Sequence, residues 1–200
     1  MKIYKGLAIT AMLLVGTFQS AYAIPTFDTM ATQANNAGGS ININSFNHTA
    51  ISNDSIWENL GGAKVKFKAE ISGYNNSMGY ANEDGTGAVL VLDEGDTGWH
   101  TLDGAPDPFT FYLNTHQGNE WYSRNSLNAD GLDHLLAFQK KDGSDSYILF
   151  WDDQNGGGDR DYNDFVARVN FVKPVPEPGT LALLGLGLIG VRIIRKKANA

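Results

Sequence analysis

Between Lys64 and Ile71 apolar and charged positions alternate, with Val65, Phe67, Ala69 and Ile71 set against Lys64, Lys66, Lys68 and Glu70. Successive side chains of a strand point to opposite faces, so this stretch predicts a strand with one buried and one wet face. Shorter runs follow at 77–81, 88–92, 109–113, 134–139, 146–151 and 165–171, each bounded by Gly, Pro, Asn or Asp. Ser40-Ile-Asn-Ile-Asn-Ser-Phe46 also alternates and predicts an edge strand within a polar stretch, 26–59, that otherwise reads as loop. Lys140-Lys-Asp-Gly-Ser-Asp145 has the composition of a hairpin turn, and the two prolines of Gly104-Ala-Pro-Asp-Pro108 exclude a ladder there. With almost no helical periodicity, the pattern predicts an all-β domain, an antiparallel β-sandwich of jelly-roll type.

The two ends of the chain follow other rules. Lys2 and Lys5 precede an apolar segment, 7–18, and then Ala21-Tyr-Ala23, the order of a secretory signal peptide for signal peptidase. Residues 1–23 are therefore set apart. At the other end, residues 180–194 predict one apolar transmembrane helix, followed by Arg195-Lys-Lys197. Such a helix reaches about 22 Å, short of the roughly 30 Å hydrocarbon core, so spanning draws in flanking residues or lets Arg192 snorkel. The basic cluster then stays on the cytoplasmic side of the membrane and the domain lies outside. The organisation read from the chain is signal peptide 1–23, polar segment 24–63, β-sandwich 64–173 and C-terminal tail 174–200.

Composition changes this picture in two ways. Cysteine is absent, which removes disulfides and thiol chemistry as options for an exported chain. Between residues 24 and 173, nine Lys and Arg stand against twenty-one Asp and Glu, a formal charge of −12, compared with −7 for the whole chain. That balance disfavours nucleic acid and favours cations.

The densest chemistry lies in Trp151-Asp-Asp-Gln-Asn-Gly-Gly-Gly-Asp-Arg-Asp-Tyr-Asn-Asp164, between two apolar runs. Asp159, Asp161 and Asn163 have the D-x-D-x-N spacing that wraps oxygens around a hard cation, and Asp152, Asp153 and Asp164 add carboxylates. Ca2+ takes six to eight oxygen ligands, which this set suits. It is not an EF-hand, because Asp164 stands where the turn glycine belongs and Asn170 where the bidentate Glu belongs. Like charges gathered by a hairpin repel unless a cation neutralises them. The alternative is a solvated acidic turn in which Arg160 and Arg168 pair with the aspartates. Asn82-Glu-Asp84 and Asp93-Glu-Gly-Asp96 read as hydrated turns, and the three Asn-x-Ser/Thr patterns as polar loops.

His48, His100, His116 and His134 are scattered without a zinc pair, and no nucleophile elbow is present, so the chain reads as non-enzymatic. A carboxylate pair of glycosidase type stays open, since composition selects none. The aromatic residues Trp57, Tyr74, Tyr80, Trp99, Phe111, Tyr112, Trp121 and Tyr122 read chiefly as core, with sugar stacking as the alternative.

The triplet Pro176, Glu177 and Pro178, the short apolar helix and the basic end together resemble the PEP-CTERM sorting signal of Gram-negative bacteria. That resemblance implies an exosortase that removes the tail and passes the protein from the inner membrane to the cell surface or exopolysaccharide matrix. A permanent weak anchor is the other reading. Asp133-His-Leu-Leu-Ala-Phe138, Phe150-Trp-Asp-Asp153 and Gly156 through Val166 resemble the domain of unknown function numbered four-one-one-four, with Ile71 through Tyr80 similar to the segment that precedes it. This second resemblance covers 69–171 and implies a β-rich extracellular module of calcium-rich surface proteins, with no catalytic residue. The combined expectation is an exported surface or matrix protein with a calcium-stabilised sandwich. Its alternatives are a calcium-dependent lectin-like module and a polysaccharide hydrolase.

Overall fold

The computed structural model describes residues 24–51 and 55–175. The signal peptide expected at 1–23, the sorting triplet Pro176, Glu177 and Pro178, and the apolar helix expected at 180–194 all lie outside the described residues. Among the described residues no helix is long and apolar enough to cross a membrane.

The described residues form nine strands in chain order: β1 (Ile56–Glu70), β2 (Ser77–Asn82), β3 (Val89–Asp93), β4 (His100–Thr101), β5 (Phe109–Asn114), β6 (Glu120–Tyr122), β7 (Leu135–Gln139), β8 (Ser146–Trp151) and β9 (Phe165–Val175). They pair in the order β3-β2-β5-β1-β9-β8-β7, with β4 added to β1 and β6 to β5. Every pairing is antiparallel.

The sheet curls until its ends face each other. Trp121 of β6 stacks on His134, next to β7, with ring centroids 3.7 Å apart and planes 8° from parallel. Trp57 of β1 meets Phe111 of β5 and Tyr147 of β8, with centroids 5.0 and 5.2 Å apart. Between the two layers thus formed lies the main core, including Val65, Met78, Leu92, Leu113, Leu149 and Val169. This is the sandwich expected of alternating strands, each placing every second residue inside. β1 makes the corner: its start pairs with both β5 and β9, and its register breaks between Asn59 and Lys64, where Gly61 and Gly62 take positive φ. At Gly79 the register with β3 also shifts, and an added Cβ would lie 1.8 Å from the Val89 carbonyl oxygen, so only glycine fits.

A second core covers the outer face of β7, β8 and β9, and it corrects two expectations. The polar stretch is not mostly loop, because Phe27–Asn36 forms helix α1. Thr26 caps it, its hydroxyl accepting the Thr29 N–H at 3.3 Å, and Asp28 sits in the first turn where the helix dipole favours an acid. Phe27, Met30, Ala31 and Ala34 fall at helical spacing and are buried against Leu136, Phe138, Ile148, Phe150 and Val166. The edge strand expected at 40–46 does not form. Asn35 binds both backbone groups of Ile41, its Oδ1 accepting the N–H and its Nδ2 donating to the carbonyl, and Ile43–Ser45 closes as a 3-10 turn. Ile41 is thus satisfied by a side chain, and the contact with β7 shrinks to a bridge between Phe46 and Lys140, where the Lys141 N–H donates to the Ser45 carbonyl and the Asn47 N–H to the Gln139 carbonyl.

The other predicted strands form within two residues of their expected ends, except that β9 runs on to Val175 and β1 begins at Ile56. β1 therefore crosses the boundary placed between 63 and 64. The short β4 and β6 were not anticipated, since two or three residues carry no periodicity.

Candidate functional site

The acidic loop joins β8 to β9, which pair residue for residue from Trp151↔Phe165 to Ser146↔Asn170. Its ends are thus held by a rigid ladder. The Asp164 N–H donates to the Trp151 carbonyl at 3.1 Å, and the Asp153 N–H donates to Asp164 Oδ2 at 2.9 Å, so the ladder continues into the loop through a carboxylate. Gly156, Gly157 and Gly158 all take positive φ, which lets the chain turn tightly at the tip.

Arg160 and Tyr162 also adopt positive φ, at 55° and 53°. The result is a ladder of side-chain turns on the odd positions: Asp159 Oδ1 accepts the Asp161 N–H at 3.4 Å, and Asp161 Oδ1 accepts the Asn163 N–H at 3.2 Å. Asn163 Nδ2 closes on Asp161 Oδ2 at 2.5 Å. The D-x-D-x-N spacing is realised as consecutive side-chain turns linking Asp159, Asp161 and Asn163.

Burial separates the six sequence candidates. Asp152, Asp153, Asn163 and Asp164 are only 1, 1, 2 and 5 % exposed, Asp161 is half-buried and Asp159 exposed. Three acids so far from water are costly unless each oxygen is matched. Asp153 is matched: its Oδ2 accepts Ser72 Oγ at 2.5 Å and Asn76 Nδ2 at 2.8 Å. Asp152 Oδ1 accepts the Gln154 N–H at 3.1 Å, but Asp152 Oδ2 and Asn163 Oδ1 are buried without a partner.

The electrostatics agree. Burial, with the charges of Asp153, Asp152 and Asp161, pushes the Asp164 carboxyl up to about 8. Burial, with Asp159 and Asp153, pushes Asp152 up to about 6 although His134 opposes, and burial with Asp159 and Asp153 raises Asp161. The six positions share one field. Neither Arg160 nor Arg168 forms an ion pair with these carboxylates among the described residues, which removes the neutralisation that a self-paired acidic turn requires.

Residues from distant segments brace the loop; the resemblance takes in Ser72, Asn76 and His134, but nothing in the sequence set them against the acidic loop. His134 is fully buried; its Nδ1 lies 2.9 Å from the Asp152 carbonyl, and its Nε2 lies 3.0 and 3.2 Å from the Asp130 carboxylate. Although burial acts upward on Asp130, the N–H groups of Leu132 and Gly156, together with His134, hold its carboxyl below the ordinary value. Trp121 Nε1 donates to the Asp153 carbonyl at 2.8 Å, and Tyr162 Oη to the Asp133 carbonyl at 3.1 Å. His134 and Ser72 reach the loop at the ends of its neighbouring ladders, where the Asp152 N–H donates to the His134 carbonyl and the Ile71 N–H to the Asp164 carbonyl, whereas Trp121 arrives from β6 across the core.

Oxygens able to hold a hard cation are those of Asp152, Asp153, Asp159, Asp161, Asn163 and Asp164. Among the described residues no three or more His, Cys, Asp or Glu side chains form a ready metal cluster, so a cation would also draw on Asn163 Oδ1 and main-chain carbonyls. The two weaker acidic places are turns: Asp84 Oδ1 accepts the Thr86 N–H at 3.0 Å, and Asp96 Oδ2 accepts the Asp93 N–H at 2.9 Å. Of the aromatic residues, Trp57, Tyr80, Phe111, Tyr112 and Trp121 are core, Tyr74 and Tyr122 are half-buried, and Trp99 is 38 % exposed.

Neither a curated protein nor a solved structure matches the chain. Two family models do. Residues 100–172, from β4 through the acidic loop into β9, match a domain of unknown function, DUF4114; the 71–80 segment lies outside that match. Residues 174–197, which include Pro176, Glu177 and Pro178, match the PEP-CTERM protein-sorting motif, the signature of an exported protein that is held transiently at a membrane and processed by an exosortase.

Proposed function

We propose that this chain is a non-enzymatic protein of the cell surface or exopolysaccharide matrix of a Gram-negative bacterium, whose sandwich is stabilised by Ca2+ bound in the β8–β9 loop. The observation that carries the reading is the pair of partnerless buried oxygens, Asp152 Oδ2 and Asn163 Oδ1, amid three buried carboxylates that lack an arginine or lysine counter-ion among the described residues. A hard cation supplies what the protein's own groups do not, and an all-oxygen donor set suits calcium over softer metals. Bound there, it would fix the loop to the ends of β8 and β9, contributing stability and no chemistry.

The non-enzymatic part is supported by the hydroxyl best placed to imitate a nucleophile. Ser77 Oγ lies 2.6 Å from Asp93 Oδ1 and 2.8 Å from His116 Nε2. With one proton to give and a carboxylate to receive it, the hydroxyl accepts from His116, the reverse of the polarity a serine nucleophile needs.

The test is thermal unfolding of the full chain in chelator and in calcium. Ligand at a hundred times its dissociation constant adds about 2.7 kcal/mol, or roughly 5–10 °C for a domain of this size. Asp161→Asn, which keeps the shape of the turn, should lose that increment while leaving the melting temperature in chelator close to the parent's. An unchanged melting temperature in about 10 mM calcium sinks the reading, since extracellular sites bind at about 0.1–1 mM.

A further inference from the structure

Five of the nine Lys and Arg between residues 24 and 173, namely Lys64, Lys66, Lys68, Lys140 and Arg168, stand together on the outer face of β1 and β9 or at its border, on a segment with twenty-one acids. The strip begins where the cover of α1 ends. Val166 lies under the helix, whereas Arg168, the next residue on that face of β9, stands directly opposite Lys66 of β1. Like charges placed opposite one another across a ladder destabilise it. No carboxylate relieves them: among the described residues none of Lys64, Lys66, Lys68 and Arg168 forms an ion pair, and only Lys140 has an acidic partner, Asp142. Burial, Lys66 and Arg168 together lower the affinity of Lys68 for its proton.

At one end the strip opens into a cleft of about 120 Å³ whose polar and charged lining is Ser40, Asn42, Ser45, Lys68, Lys140 and Arg168. Its size suits one carboxylate or sulfate, and its cations and hydroxyls suit an oxyanion. Arg168 links the cleft to two large side chains that are 38 and 47 % exposed, Trp99 and Phe171: its guanidinium carbon lies 5.9 Å from the Trp99 centroid, and Lys64 Nζ lies 5.1 Å from the ring centroids of both. Beyond the cleft the charges continue as a row, and same-face strand residues are spaced about 6.6 Å apart.

We propose that this strip binds an anionic polysaccharide, with an acidic group of one sugar in the Lys68–Lys140–Arg168 cleft and the following sugars laid along Lys66 and Lys64 toward Trp99. A row of cations, longer than one small anion requires, points to a polymer. Widely spaced charge on an otherwise acidic domain points to a glycan with occasional acids, since duplex nucleic acid carries one charge per roughly 1.7 Å and would meet the surrounding carboxylates. The proposal goes beyond the calcium reading and does not depend on it, because the strip and the candidate cation ligands share no residue.

The experiment is binding of the full chain, in mild detergent and EDTA, to polygalacturonate, dextran sulfate, neutral dextran, duplex DNA and inorganic sulfate. We expect binding to one or both acidic glycans, none to neutral dextran, weakening with added salt, and at least a tenfold loss in the K66Q/R168Q double variant. That variant removes a like-charge pair together with the Arg168 hydrogen bonds to Ser146 Oγ, opposing changes on the surface, so its melting temperature should stay close to the parent's, which separates lost binding from lost fold. Binding unaffected by the double variant, equal binding to neutral dextran, tighter binding to DNA than to either acidic glycan, sulfate binding without polymer binding, or no binding at all each overturns the proposal. Because EDTA removes calcium, failure here leaves the loop reading untouched.

Discussion

Glu70 shows how a single side chain reports its surroundings. Burial, with Glu94 beside it, pushes its carboxyl up to about 8 from an ordinary value of 4.5, although the Asn76 amide bonded to Glu70 Oε1 at 2.9 Å pulls the other way. The folded state holds this proton more tightly than the unfolded state. The stabilisation it brings is therefore fully present below about 4.5 and is lost as pH rises to about 8. Glu70→Gln should then leave the melting temperature unchanged near pH 4.5 and raise it progressively toward pH 8; an equal effect at both ends would show that the carboxyl does not titrate in this window. Alternation alone marked Glu70 as a wet-face residue. Its half-buried position arises because Asn76 and Glu94 come from two later segments that the curl of the sheet lays over the end of β1.

Among the elements, α1 is the one whose role the pattern along the chain concealed. Its buried stripe is only Phe27, Met30, Ala31 and Ala34, a face easily read as scattered apolar residues within a polar segment. The helix is decided by its cap and by the apolar outer face of β7 and β8, which needs a cover. Met30 is fully buried, so Met30→Ala should cost about 2–5 kcal/mol in denaturant unfolding, whereas Thr26→Ala should cost about 1 kcal/mol through the cap. A Met30→Ala loss below about 0.5 kcal/mol would mean that α1 is not held on the sheet. The strands behave oppositely. Ser146–Trp151 forms over the residues its apolar run predicts, because a strand buried on both faces leaves little freedom in its limits.

At the scale of the whole molecule, charge and ion binding become one question. In chelator the buried carboxyls of Asp164 and Asp152, pushed up to about 8 and about 6, favour the folded state only while protonated, so stability should fall as pH rises through that window. A cation binds the deprotonated oxygens, so the increment in melting temperature from calcium should be larger near pH 8 than near pH 5, roughly the two sides of that window. A calcium increment that is flat or shrinks with pH would argue that these carboxyls are not its ligands. The sequence by itself determined the seven longer strands, the acidic connection between β8 and β9 and the sorting motif around Glu177, because alternation, turn chemistry and short motifs act between near neighbours. Only the tertiary structure decided which carboxylates are buried, that His134, Asp130, Asn76 and Ser72 brace them, and that Lys66 and Arg168 face each other on an acidic domain. Those facts depend on which distant segments the curled sheet brings together, and on α1 covering part of one face while leaving the cations open, relations between residues too far apart in the chain for local pattern to express.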